Sequence, residues 1–336
     1  MKSPFIFFVF FFFFFLTCCS NDKITGPETA DYISDFDSVW TNFSEIYPLF
    51  DYKNINWTSV YGKYRNRFVS ITFEERNNVF AEIFGVFKDA HIYFILPSGE
   101  QFGQYKPDNF TANFNSVFIK GFLDSTEFHT VNNYWGWSFL NNTGYMRFTD
   151  FHLGSVDTNV FDTVLNSLKD TKGIIIDIRE LHGGNLNVIS SISNRFALRD
   201  MTAGYQEYKN GPGENDFAPL LPVYAKPGGT IQYGGKVILL AGQMCFSAGE
   251  IFAYTMSLFD NVTIVGDTTF GGVEAPAIYS LPDGTRYSVP VAVYLDIEKQ
   301  PLEWKGVAPD IYIDPAESAN NTESDPVFER AFGLIN

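Results

Sequence analysis

The fold class is decided by residues 236–250, which read KVILLAGQMCFSAGE. The continuous apolar run at 236–241 predicts a buried strand, and a helix is predicted after a short loop, from Ser247 onward. The runs at 173–178 and 262–265 repeat the apolar strand pattern. Continuous apolar strands that alternate with helices are typical of a parallel sheet covered on both faces. The chain of 336 residues is therefore predicted to contain an α/β core.

The N-terminal part of the chain has a helical periodicity. Apolar residues, many of them aromatic, recur every three or four positions in 36–47, 57–68 and 73–87, which predicts three amphipathic helices with a buried aromatic face. Short strand-like pieces such as 116–119 follow, and residues 279–294 have the pattern of a hairpin. The predicted parts are a signal peptide (1–18), a tether (19–34), a helical domain (35–105), a small β-rich connecting segment (106–143), the α/β domain (144–315) and a C-terminal tail or helix (316–336).

The composition excludes one class of partner. Acidic residues number 39 against 23 basic ones, and the formal net charge is −16. Binding to nucleic acid depends on clustered Lys and Arg that displace counterions from phosphates, and the sequence has no such cluster. Nucleic acid is therefore not expected as a partner.

The N-terminus has the pattern of a bacterial export signal. Lys2 precedes an apolar run at 5–16, which is shorter than the roughly 20 residues that a membrane-spanning helix needs. The run ends at Leu16-Thr17-Cys18-Cys19, and polar residues follow at once. This ending resembles a lipobox in which Cys19 is the lipidated residue. We expect a protein anchored by lipid to a membrane of the bacterial cell envelope, on its periplasmic or surface face, with an ordinary cleavage site as the alternative.

Ser247 is the first candidate for chemistry. It lies between a predicted strand and the start of an apolar helix, where free backbone N–H groups favour an oxyanion. Residues 247–250, SAGE, also have the S-x-x-E pattern of a capping box, which needs no catalysis to explain it. The residues alone thus leave two interpretations of Ser247, a nucleophile and a helix cap. Cys245, the only cysteine beyond the export signal, is a remote alternative nucleophile because a buried thiol is usually inert.

A pair of glycines, Gly183 and Gly184, follows the apolar strand at 173–178. Glycine lets a backbone amide approach a ligand closely, although a Gly-Gly pair also occurs in ordinary turns. The ends of neighbouring parallel strands lie at the same edge of a sheet, where such folds bind ligands. An amide from this loop and the amide of Ala248 could therefore form a paired oxyanion hole.

A serine nucleophile also needs a base. The spacing of the residues does not choose between His91 and His182, whereas His129 and His152 carry little signal. Glu303 could orient the base, although an isolated Glu is usually only solvated. Both histidines therefore remain candidates at this point.

Five motifs occur in order along residues 30–315. They are Asp89-Ala90-His91, Asp177-x-Arg179-x-x-x-Gly183-Gly184, Ser247-Ala248-x-Glu250, GDTTFGG at 266–272, and Glu303-x-x-Gly306-x-x-Pro309-Asp310. A chain with these motifs resembles the S41 serine peptidases, which include the C-terminal processing proteases and the catalytic core of tricorn protease. The resemblance implies a crotonase-like (ClpP/crotonase-type) α/β catalytic core behind an N-terminal helical domain.

The resemblance also distinguishes between two kinds of base. The processing-protease branch uses a Lys shortly after the fourth motif, but Gly272 stands there, and no Lys occurs between Lys236 and Lys299. The tricorn-like branch uses a His at the position of His91 and a Glu at that of Glu303, and both are present. A Ser/His mechanism is therefore expected.

The implied reaction is hydrolysis of peptide bonds through an acyl-enzyme. The implied roles are Ser247 as nucleophile, His91 as general base, Glu303 as support, and Ala248 with Gly183 or Gly184 as donors of the oxyanion hole. The sequence has no His-Glu-x-x-His motif and no cysteine cluster, so no metal or other cofactor is expected, and the expected partner is a peptide or protein substrate.

Two alternatives stay open. Ala90 stands where the tricorn-like site has a second serine, and Leu181 stands where the consensus has Asn. Both departures favour a non-catalytic lipoprotein that binds a peptide or a hydrophobic ligand on the same fold. An esterase with the same residues would differ only in its leaving group.

Overall fold

The computed structural model describes residues 28–108 and 110–336. The predicted signal peptide and Cys19 lie outside these residues. Within them the helices are α1 (Ile33–Ile46), α2 (Trp57–Tyr64), α3 (Phe73–Gly85), α4 (Ser116–Ser125), α5 (Thr158–Leu168), α6 (Leu186–Ser193), α7 (Ala248–Ser257), α8 (Pro315–Ala319) and α9 (Pro326–Ile335), and a 3-10 turn at Arg65–Phe68 continues α2. No helix in this part of the chain combines the length and the apolar character needed to cross a bilayer.

The strands form two large sheets and one short pair. They are β1 (Thr29–Ala30), β2 (Ile71–Thr72), β3 (Phe94–Ile95), β4 (Gln101–Phe102), β5 (His129–Asn132), β6 (Trp135–Leu140), β7 (Thr143–Phe148), β8 (Ile174–Asp177), β9 (Met201–Tyr208), β10 (Leu221–Ala225), β11 (Val237–Ala241), β12 (Val262–Gly266), β13 (Glu274–Ser280), β14 (Arg286–Leu295) and β15 (Ile311–Tyr312). The short pair joins β1 to β2.

The larger sheet has seven strands in the order β15-β12-β11-β8-β7-β6-β5. The pairs from β7 to β15 are parallel, whereas β5 and β6 are antiparallel. In β8, Ile174 and Ile176 pack with α5, α6 and α7, while Ile175 packs with α9 on the opposite face. The predicted α/β core is therefore confirmed. The strands are continuously apolar because helices cover both faces of the sheet.

The second sheet connects the helical part to this core. Its order is β10-β9-β14-β3-β4, with β13 paired to β14, and every pairing is antiparallel. The hairpin β13–β14 confirms the one predicted at 279–294. Strand β3 follows directly after His91 and pairs Phe94 with Tyr287 of β14. The sheet thereby holds the end of the helical part against the core.

Helices α1 to α3 bury the predicted aromatic face. Phe43, Phe80 and Phe84 are almost fully buried in one cluster, which also takes Val289 from β14. Helix α3 begins with a capping box in which Thr72 accepts from the Glu75 amide and the Glu75 carboxylate accepts from the Thr72 amide. The aromatic spacing therefore marks core packing, as predicted.

The strand predicted at 116–119 is wrong, because these residues begin helix α4. The side chain of Asn115 accepts from the amides of Val117 and Phe118 and so caps the helix. Ile119 is buried, whereas Val117 on the opposite side is 69% exposed. A short run of apolar residues is compatible with either structure, and the cap decides for the helix.

Candidate active site

Ser247 lies at the end of the loop that joins β11 to α7. Its backbone has φ 57° and ψ −122°, a region that costs a residue with a side chain about 1–3 kcal/mol. The backbone amide donates to the carbonyl of Gly272 at 3.0 Å, which holds the residue in this conformation. Its Oγ lies 3.1 Å from Nε2 of His91. Ser247 and Glu250 form the predicted capping box at the start of α7, and the hydroxyl group of Ser247 also lies within hydrogen-bond distance of a base.

Glu250, the last residue of the S-x-x-E motif, holds the neighbouring 269–272 loop by hydrogen bonds. Glu250 is fully buried, and its carboxylate accepts from the hydroxyl of Thr269 at 2.6 Å and from the amides of Gly271 and Gly272 at 2.6 and 2.8 Å. It also accepts from the amide of Ser247 at 3.2 Å. Burial raises the pKa of Glu250 to about 7, although these hydrogen bonds favour its charged form. Glu250 thus links the 269–272 loop to Ser247 by hydrogen bonds.

His91 is 5% exposed and follows α3 in a turn before β3. Its backbone amide donates to Oδ1 of Asp89 at 2.8 Å, and its ring stacks on Phe246 with 4.4 Å between centroids. Nδ1 lies 3.1 Å from Oε2 of Glu274. Since an ionised carboxylate only accepts, Nδ1 carries the proton, and Nε2 is free to accept from Ser247. Ser247, His91 and Glu274 therefore have the geometry of a catalytic triad.

The direct partner of His91 is Glu274, which sequence reasoning missed, and not Glu303. Glu274 opens β13 directly after the 269–272 loop. Burial alone would raise the pKa of Glu274, but the hydrogen bond with His91 and the charge of Lys53 outweigh burial and hold it well below its usual range. Glu303 makes no hydrogen bond to His91 among the described residues; its carboxylate lies 2.6 Å from Nζ of Lys53 and 3.4 Å from the amide of Val273.

Lys53 is the second residue that the sequence did not reveal. It belongs to the turn between α1 and α2, and its side chain is fully buried. Nζ lies 2.9 Å from Asp89, 3.4 Å from Glu274 and 2.6 Å from Glu303. Burial alone would lower the pKa of Lys53, but the three carboxylates raise it, so the side chain is a buried ammonium ion.

The carboxylates around Lys53 are not equivalent. Burial and the charge of Glu274 raise the pKa of Asp89 to about 6. Burial and the charges of Glu274 and Asp89 raise the pKa of Glu303 well above its usual range.

Asp89, His91 and Glu274 also offer ligand atoms within 4.8 Å of one another, as a metal ion would need. The ammonium group of Lys53 already supplies a positive charge to both carboxylates, so a metal would have to displace it.

The two predicted glycines have different surroundings. A Cβ added to Gly183 would lie 3.0 Å from Cβ of Ser247 and 3.4 Å from the amide nitrogen of Ala248. Within the described residues, the amides of Gly183 and Ala248 donate to no protein acceptor. A Cβ on Gly184 would lie 2.1 Å from the carbonyl carbon of Phe151, so this glycine packs against the chain. Gly183 and Ala248 are therefore the pair of amides next to Ser247.

The remaining candidates lie away from this geometry. His182 is exposed and lines a cavity beside the site, while His152 is exposed and pairs with Asp150. Cys245 is fully buried, and burial raises the pKa of its thiol well above the usual value. A buried, protonated thiol is a poor nucleophile, and Ser247 is the nucleophilic candidate that contacts a base.

Two cavities open next to the triad. The larger has a volume of about 570 Å³ and shares Phe246, the neighbour of Ser247, and Ala90, the neighbour of His91, in its wall. Its other lining residues are Gln104, Tyr105, Lys106, Pro107, Phe110, His182, Gln243, Met244 and Phe270. A second cavity of about 350 Å³ extends from Ala90 to Glu303 and Trp304. Both are large enough to take side chains of a bound chain segment.

Known proteins match both halves of this arrangement. Residues 142–313 match the model of peptidase family S41, and residues 29–85 match the tricorn protease C1 domain. The carboxy-terminal processing protease CtpA of Bacillus subtilis (strain 168) is 28% identical over 173 residues, which are 51% of this chain and 35% of that protease. Tricorn protease of Thermoplasma volcanium is 27% identical over 194 residues, 57% of this chain and 17% of that protein. The matched region thus covers about a third or less of these two relatives.

A solved structure matches over nearly its whole length. The crystal structure of a protein assigned as a peptidase from Parabacteroides merdae ATCC 43184 has a TM-score of 0.80 and 27% identity to this chain. The match covers 91% of this chain and 97% of that one. It therefore includes the helical part that supplies His91 as well as the core that supplies Ser247.

Proposed function

Because the chain belongs to peptidase family S41, we propose that it is a serine peptidase in which Ser247 is the nucleophile and His91 the general base. One observation carries the proposal: Oγ of Ser247 lies 3.1 Å from Nε2 of His91, whose Nδ1 lies 3.1 Å from Glu274. Nucleophile, base and orienting acid within hydrogen-bond distance of one another are the requirement for activating a serine.

The proposed reaction has two halves. Oγ of Ser247 attacks the carbonyl carbon of the scissile peptide bond while its proton passes to Nε2 of His91. His91 then gives this proton to the departing amine as the C–N bond breaks, and an acyl-enzyme remains. Water, deprotonated by His91, hydrolyses the ester and restores Ser247. Glu274 stabilises the imidazolium ion that forms in each half.

The negative charge of the tetrahedral intermediate needs hydrogen-bond donors. The amides of Gly183 and Ala248 lie next to Ser247, and donors at such a position are commonly the largest electrostatic contribution to acyl transfer. We assign them to the oxyanion hole. Glu303 has a supporting role, because it contacts Lys53, which in turn contacts Glu274.

We also propose that the mature protein is held in the bacterial cell envelope by a lipid on Cys19. The support is the apolar run at 5–16 that ends abruptly at Cys18-Cys19 and is followed by polar residues. Its substrate would then be a peptide or protein that reaches the same face of the membrane.

Labelling with a fluorophosphonate probe tests the Ser/His assignment. The wild-type protein is expected to label, while Ser247→Ala and His91→Ala, folded by circular dichroism, do not. His182→Ala is the matched control and should label normally. A folded wild-type protein that does not react would contradict the peptidase proposal and leave a non-catalytic ligand-binding protein, which Ala90 favours. Normal labelling of His91→Ala would contradict the assignment of the base.

A further inference from the structure

Lys53 and His91 contact different oxygens of the same carboxylate, that of Glu274. Its Nζ contacts Oε1 of Glu274, while the other oxygen of that carboxylate, Oε2, faces Nδ1 of His91. The two oxygens of Glu274 are thus divided between a permanent cation and the catalytic imidazole. Within residues 28–108 and 110–336, the ionic contacts of Nζ are with carboxylates, so Lys53 is placed to act on the base and not on Ser247 directly.

The charge balance around Glu274 explains why a cation is needed there. Asp89, Glu274 and Glu303 have buried carboxylates, and like charges this close force one or more of them to hold a proton. If Glu274 took that proton, it would offer His91 a neutral acid in place of a carboxylate. The ammonium group of Lys53 biases the cluster toward the state in which Glu274 is charged.

We propose that Lys53 is a positioning residue for catalysis, which keeps Glu274 ionised and turned toward His91 and so extends the triad to Lys53–Glu274–His91–Ser247. The proposal rests on the function proposed above. Lys53 lies in the turn between α1 and α2, whereas Glu274 lies on β13 and Ser247 before α7. The helical part of the chain therefore contributes both the proposed base, His91, and the positive charge of Lys53, which stabilises the ionised form of Glu274.

Every titratable group that faces Lys53 belongs to the same pocket. Asp89, Glu274 and Glu303 contact Nζ, and the ring of Tyr47 lies 5.8 Å from it and donates its hydroxyl proton to Asp89. Beyond these, His91 adjoins Glu274, and the hydroxyl of Tyr52 donates to the backbone of Glu303. Removing the positive charge of Lys53 raises the affinity of all these acids for protons, so every change has the same sign.

The decisive measurement is the pH profile of kcat/KM for Lys53→Met, Lys53→Arg and the double variant Lys53→Met/Asp89→Asn. Lys53→Met should move the acidic limb to higher pH by about one unit or more, with the loss in kcat exceeding any change in KM. Lys53→Arg keeps the charge and should leave the limb in place. The double variant removes one charge of each sign, and its limb should return toward the wild-type position.

A purely structural role predicts a different result. The limb would then stay at the wild-type pH in Lys53→Met, or the double variant would be no better than the single one, and either result overturns the proposal. If Lys53→Met does not fold, the double variant is compared with Asp89→Asn alone: an acidic limb at higher pH in the double variant supports the proposal, and limbs at the same pH contradict it.

A readout without turnover separates this inference from the proposed function. Carboxyl-carbon NMR of protein labelled in aspartate follows the titration of Asp89 directly, and Lys53→Met should raise its midpoint because the nearest cation is gone. An unchanged midpoint overturns the charge role of Lys53 even in an active enzyme. If the midpoint is raised in Lys53→Met but the wild-type protein does not react with fluorophosphonate, the charge role of Lys53 is retained and the peptidase proposal is contradicted.

Discussion

Oε2 of Glu274 lies 3.1 Å from Nδ1 of His91, although 183 residues separate them in the sequence. Glu274 opens a strand of the second sheet, and His91 precedes another strand of the same sheet. The antiparallel sheet thus brings Glu274 to His91, while a strand of the larger sheet leads into Ser247. Because different segments of the chain supply the residues of the site, each residue can be tested by its own substitution.

The first prediction compares the two glutamates. Glu274→Gln should lower kcat by about 10²–10⁴-fold, because an amide cannot stabilise the imidazolium ion as a carboxylate does. Glu303→Gln, which leaves the Glu274–His91 contact intact, should cost about tenfold or less. Steady-state kinetics on a fluorogenic peptide decides between them. A larger loss for Glu303→Gln would return the orienting role to the residue that the sequence favoured.

The second prediction separates the two glycines. Gly183→Ala should lower kcat by about 10²–10³-fold, because its Cβ would press on Ser247 and displace an oxyanion donor. Gly184→Ala should act mainly on stability, because its Cβ would collide with the backbone of Phe151. Kinetics and thermal unfolding measured on both variants give the comparison. Equal losses of stability with no kinetic difference would argue against Gly183 as a donor.

The third prediction concerns Glu250 and pH. Burial raises its pKa to about 7, above the value near 4.5 of an unfolded glutamate, so the folded protein binds a proton more tightly. Its contribution to stability is complete below pH 4.5 and is lost as pH rises toward 7, on the order of 3 kcal/mol in total.

Urea unfolding at several pH values between 4.5 and 7.5 measures this contribution. The free energy of unfolding of the wild type should fall with rising pH relative to that of Glu250→Gln, which cannot titrate. Glu250→Gln should also be less stable than the wild type at pH 7.5, by about 1–3 kcal/mol, because its amide cannot accept all the hydrogen bonds at this site, and the difference should be larger at pH 4.5. Parallel pH dependences for the two proteins would show that Glu250 does not titrate in this range.

The fourth prediction tests the anchor. In cells supplied with a labelled fatty acid, the wild-type protein should incorporate the label and sediment with membranes, whereas Cys19→Ala should do neither. Cys18→Ala keeps a small residue before the modified position and serves as the matched control. Label retained in Cys19→Ala would contradict the lipobox interpretation.

Much of the fold could be predicted because its signals are local. The apolar runs at β8, β11 and β12 and the aromatic spacing of α1 to α3 each reflect burial that a few adjacent residues reveal. The error at 116–119 has the same origin, since four residues are too few to distinguish a helix from a strand without weighing Asn115 as a cap.

The site could be predicted only in part, and the reason is distance along the chain. Ser247 and His91 lie in recognisable motifs, and the structure brings them together. Glu274 and Lys53 stand in no motif: their mutual contact spans 221 residues and depends on how the second sheet packs against the helical turn. A buried ion pair of this kind leaves no periodic trace in the sequence.

The assembly of the site from distant segments has a consequence for the life of the protein in the cell. His91 and Lys53 are synthesised well before Ser247, which follows His91 by 156 residues. A nascent chain therefore carries the proposed base before it carries the proposed nucleophile. A chain that has lost its helical part has a nucleophile with no base. The topology therefore delays the proposed activity until the part of the chain that carries Ser247 has packed against the part that carries His91 and Lys53.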